Sequence, residues 1–134
     1  MDSLRKYSDL PIRLAVGFHL IYGTQDNILS WERMLEFRDF LEVYGAPVPL
    51  ISAVISVYAQ FFSGVLFIIG WKVRVAGVFM IFNFLVAILL VHLYDPYPSI
   101  YPAISMLAGS IFLVLNDVGQ ISLQHFLETK KATR

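Results

Sequence analysis

His19, Gln60 and Asn83 are polar side chains set in otherwise apolar stretches: RLAVGFHLIY, LISAVISVYAQFFSGVLFIIG and VRVAGVFMIFNFLVAILLVH. An imidazole and two carboxamides that met in an apolar interior would support one of three roles. They could satisfy one another as packing glue between helices, worth about 0.6–2 kcal/mol per hydrogen bond. They could floor a pocket for a small molecule such as a quinone or a lipid. They could also carry a proton, although a relay or coupled transporter usually has an Asp or Glu at mid-membrane, and none falls there.

Two further groups sit nearer the ends of the apolar runs. Arg13, Arg74 and Asp117 fall at similar depth and suit an ion pair locking helix ends. The two arginines could instead hold an anionic lipid head group. His92 and Asp95 are three apart in HLYD, with Asp26 placed to approach them. That is half a metal site, but a His and an Asp near a helix end are more often satisfied interface residues, so no metal is assigned. No catalytic residue is assigned either. The chain has no cysteine, which excludes a disulfide, a thiolate nucleophile, a CxxC redox pair and an iron–sulfur cluster. A formal net charge of +0 argues against a nucleic-acid partner.

These groups acquire meaning only from the elements that carry them. Of the 134 residues, 57% are hydrophobic and 15% charged, with mean hydropathy +0.68. Soluble domains carry about a quarter charged residues, so this chain has too little polar surface for a water-facing exterior. Crossing a bilayer takes roughly 20 residues at 1.5 Å rise. Four stretches qualify, at about 9–28, 50–70, 74–92 and 101–117, in one domain covering 1–134. The first is the shortest in clean apolar sequence. It spans if Arg13 snorkels to the near headgroups and Gln25, Asp26 and Asn27 reach the far ones; the alternative is a re-entrant or surface helix and three spans. Counted from one edge, His19, Gln60 and Asn83 then all lie roughly 14 Å deep, near the midplane.

Between the first two spans, residues 30–45 read SWERMLEFRDFLEVYG, with Met34, Phe37, Leu41 and Tyr44 recurring at steps of three and four. Such a helix is too charged to cross, and it is expected to lie in the interface, capping the bundle or docking another subunit. Residues 120–134 read as an amphipathic basic tail on anionic lipid. The N-terminus is charged and then apolar without a small-residue cleavage site, so it is not read as a signal peptide. Arg5, Lys6, Arg13, Lys72, Arg74, Lys130, Lys131 and Arg134 all fall on one side of this topology. The positive-inside rule then puts both termini in the cytoplasm. The expected fold class is an all-α integral membrane protein: a four-transmembrane-helix bundle with an amphipathic interfacial helix between spans one and two.

Three stretches carry a family resemblance: RLAVGFHLIYG with Arg13 and Gly17, AQFFSGVLFIIGWKVRVAG with Gly64, Gly70 and Arg74, and LVAILLVH with His92. On these the chain resembles the DoxX family of small four-span bacterial membrane proteins over almost its whole length. It departs from the family pattern at Gln60, where an acid is frequent, and at Gln25-Asp26-Asn27, where a lysine is usual. The resemblance implies the bacterial inner (plasma) membrane and an association with quinone-linked redox complexes. The related MauE type would be expected to use cysteines, which this chain lacks. The leading expectation is a non-catalytic accessory subunit of a membrane redox complex. Binding of a quinone or lipid between the helices is the alternative, with proton or solute transport behind it. The expected partners are the lipid bilayer and either other subunits of a membrane complex or further copies of this chain.

Overall fold

The computed structural model describes residues 2–116 and 118–134. Among them run seven helices: α1 (Asp2–Arg5), α2 (Leu10–Leu29), α3 (Trp31–Val43), α4 (Pro49–Ile69), α5 (Val73–Leu90), α6 (Tyr97–Leu115) and α7 (Leu123–Ala132). Their boundaries follow from local chemistry. Proline opens α2, α4 and α6 within their first two positions, where its missing N–H costs nothing. Ser30 caps α3 by accepting the Arg33 N–H, as an N-cap serine does. Gly70 ends α4 in the left-handed conformation at φ +74, which only glycine enters without steric cost. Two departures from the sequence reading are local. Helix α6 begins at Tyr97 rather than Tyr101, because Pro98 starts it and Pro102 is accommodated early in the helix. Helix α5 stops at Leu90, so His92 sits in the following turn rather than in the span.

Helix α2 packs on α4, α4 on α5, α5 on α6, and α6 back on α2, closing a ring of four long helices. Val16 and Leu20 of α2, Phe67 of α4, Met80 and Phe84 of α5 and Leu113 of α6 fill its centre. Helices α2 and α4 run antiparallel and approach most closely where Gly17 faces Gly64. A Cβ on either glycine would stand 2.8 Å from the carbonyl oxygen of the other. Helix α3 covers the far end, burying Met34 and Leu41 against Ala53 and Val57 of α4. Helices α4, α5 and α6 are long and apolar enough to cross a membrane. Helix α2 has 20 residues but carries Arg13, His19, Gln25, Asp26 and Asn27, and by composition it falls short of them.

Candidate functional site

The most completely bonded polar group lies where the N-terminus of α2 meets the C-terminus of α4. The last carbonyls of a helix have no partner within it. In α4 the Leu66 carbonyl accepts from the N–H groups of Gly70 and Trp71. The next two are taken by Arg13: Nε donates to the Phe67 carbonyl at 2.8 Å and Nη2 to that of Ile68 at 3.3 Å. Nη1 completes the set by donating to Oδ2 of Asp9 at 2.9 Å. Arg13 is 1% exposed and Asp9 3%. A buried guanidinium is tolerable only when fully paired, and here a carboxylate and the negative end of the α4 dipole supply the compensation. Asp9 Oδ2 also accepts the Gly119 N–H at 3.0 Å. Nearby, the Gln120 N–H donates to the Lys6 carbonyl and the Gln124 N–H to that of Gly70. One ion pair thus ties α2, α4 and the segment after α6 together.

Only part of the first expected cluster, Arg13 with Arg74 and Asp117, falls among the described residues. The described partners of Arg13 are Asp9, Phe67 and Ile68, and Arg74 Nε donates to the Val114 carbonyl at 3.0 Å. Asp117 lies outside the described residues. Each guanidinium nitrogen of Arg13 bonds a protein oxygen and the side chain is buried, so it presents little surface to a lipid head group. Asp9 is the residue the sequence reading missed. Its signal was the four-residue spacing from Arg13, which puts the two side chains on one helix face.

The mid-depth trio also divides. Gln60 Nε2 donates to Ser56 Oγ at 3.0 Å, and Ser56 Oγ donates to Asn83 Oδ1 at 2.9 Å. Gln60 and Asn83 are therefore linked between α4 and α5, half-buried, through a serine. His19 is not part of this chain. It is exposed, and among the described residues no hydrogen bond joins it to Gln60 or Asn83. The reason is angular: Arg13, Val16, Gly17, Leu20 and Thr24 form the buried face of α2, and at 3.6 residues per turn His19 points roughly 120° away from it.

At the opposite end His92 Nδ1 meets Asp95 Oδ2 at 2.9 Å, both groups part-exposed. Asp26 is exposed on α2 and bonds to neither. Among the described residues no three His, Cys, Asp or Glu side chains stand close enough to share a metal ion.

A cleft of about 330 Å³ opens at the Gly70 end, between the α4–α5 turn, the end of α6 and the start of α7, lined by Trp71, Lys72, Arg74, Asn116 and Gln124 among others. Lys72 Nζ lies 5.5 Å from the centre of the Trp71 ring.

A family model described as DoxX matches residues 8–93. That range takes in α2 to α5, and with them Asp9, Arg13, the Gly17–Gly64 contact and Gly70. No curated protein matches the chain, and no solved structure does.

Proposed function

This chain belongs to the DoxX family, and from that premise we propose that it is a non-catalytic accessory subunit of a membrane complex, of the redox-associated kind. Family and apolar helices together make it a multi-pass membrane protein. On our reading α2 crosses the bilayer beside α4, giving four spans, with α3 in the interface and both termini in the cytoplasm of a bacterial cell. The close Gly17–Gly64 packing supports this, since α2 lies along α4 where α4 itself is in lipid. Every Lys and Arg except Arg33 and Arg38 falls at the Gly70 end or on the segments packed there, which supports the orientation.

The observation that carries the accessory role is His19. Within a spanning α2 it stands near mid-depth, faces outward and has no hydrogen-bond partner among the described residues. Polar side chains within spans normally face protein and find a hydrogen-bonding partner there. An outward imidazole therefore calls for a helix from another polypeptide, whether a different subunit or a second copy. Phe18 and Tyr22 stack beside it with centroids 5.9 Å apart, each 65% exposed, and would flank that helix. Purification in mild detergent tests the reading. A partner or second copy should co-purify in fixed ratio and be lost on His19→Leu, a change that leaves the isolated chain folded. A wild-type protein that purifies alone would overturn it.

A second reading has its own support. Asn83 Nδ2 and Gln60 Oε1 make no bond within the described residues, and both amides are half-buried between α4 and α5. Asn83 Nδ2 could donate to the carbonyl of a quinone or to a lipid oxygen on that seam, and Gln60 Oε1 could accept from a hydroxyl of either. Retention of an extractable isoprenoid by the purified protein would favour it.

A further inference from the structure

We infer that the cleft at the Gly70 end binds the phosphate group of an anionic phospholipid. Lys72, Arg74 and the carboxamides of Asn116 and Gln124 line the cleft. A phosphodiester needs this combination: a mobile cation to meet its charge, and neutral donors to fill its remaining oxygen sites. Arg74 is held in place by its bond to the Val114 carbonyl. Gln124 spends one amide hydrogen on Glu128 at 3.3 Å, which leaves another for a ligand. No side-chain hydrogen bond caps the start of α5, so the positive end of its dipole adds to the field of Lys72.

The surroundings favour a lipid over a soluble anion. The cleft lies where the apolar helices α4, α5 and α6 end, the level at which headgroups sit. Trp71, 39% exposed, marks an interfacial position of the kind tryptophan prefers. Helix α7, which contributes Gln124 to the cleft, exposes Phe126 and Leu127 as an apolar strip farther along and ends in Lys130 and Lys131. Acyl chains leaving the cleft would follow that strip into the leaflet. This inference does not depend on the partner proposed for His19.

The chain holds two tryptophans, and Trp31→Phe leaves Trp71 as the reporter. The full chain in neutral detergent is titrated with short-chain phosphatidylglycerol, short-chain phosphatidylcholine and inorganic phosphate. The glycerol lipid should give a saturable shift in Trp71 emission, the choline lipid at least fivefold weaker binding, and free phosphate no shift. Lys72→Gly should weaken the glycerol lipid about fivefold, the effect of one basic residue at a membrane surface, with helicity unchanged. Lys72 has φ +51, a conformation glycine accepts readily, so this variant tests charge without straining the turn. Equal binding of the two lipids, no response to either, an unaltered Lys72→Gly, or phosphate binding as tightly as lipid would each overturn the assignment. The lipid comparison in the protein with native Lys72 stands even if the variant does not fold.

Discussion

Arg13 reaches across from α2 to donate its Nε to the Phe67 carbonyl at 2.8 Å, so a side chain of one helix caps the end of another. The buried charge that this requires is matched by Asp9, four residues earlier at the N-cap of α2. Secondary structure, packing and electrostatics therefore meet at one residue, and the pairing of α2 with α4 rests on it.

Asp9→Asn tests that dependence. The amide oxygen can still accept the Gly119 N–H, but the guanidinium loses its countercharge in a site 1% exposed. Removing one partner of a buried pair costs about 3–5 kcal/mol. We expect the low end of that range, because the Phe67 and Ile68 carbonyls still hold Arg13. Thermal unfolding in detergent should show a clear drop; a midpoint equal to wild type would mean that the pair contributes nothing.

Gly17→Val probes the closest helix approach. A Cβ at this position would stand 2.7 Å from Ile68 Cγ1 and 2.8 Å from the Gly64 carbonyl, and the latter is backbone that cannot swing aside. Overpacking of this kind costs roughly 1–3 kcal/mol. Gly23, which has nothing within 4 Å of an added Cβ, is the control: Gly23→Ala should leave stability unchanged or slightly higher. Similar unfolding midpoints for Gly17→Val and Gly23→Ala would rule out tight α2–α4 packing.

Asn83→Leu separates glue from pocket. It removes the acceptor of the Ser56 hydroxyl and should cost about 0.6–2 kcal/mol if the amide only joins α4 to α5. Any isoprenoid that co-purifies with wild type should be retained by this variant on the glue reading and lost on the pocket reading. Lipid extraction followed by mass spectrometry decides between them.

Most of the helical layout was legible in the sequence, because apolar runs of spanning length report themselves through composition alone. What composition could not supply was azimuth. His19, Gln60 and Asn83 were placed at one depth by counting residues, but depth says nothing of which way a side chain points. His19 faces outward because Arg13, Val16, Gly17, Leu20 and Thr24 claim the inner face. The partner of Arg13 was hidden for a related reason. Arg13 was matched with residues at the same level of other helices, whereas its carboxylate sits four residues earlier on its own. The position of Ser56 between Gln60 and Asn83 emerges only from the α4–α5 pairing. Apolar length alone starts the fourth span near residue 101, whereas the helix begins at Tyr97 and takes Pro102 inside it.

The passage of α2 through the lipid underlies the depth of His19, the partner it calls for and the orientation of both ends. Because the chain has no cysteine, single reactive sites are simple to introduce, as Ser3→Cys ahead of α2 and Asp26→Cys near its far end in the full protein. A membrane-impermeant maleimide applied to spheroplasts should label Asp26→Cys directly and Ser3→Cys only after the membrane is opened. Labelling of both from the same side would mean that α2 does not cross the bilayer, contradicting the account.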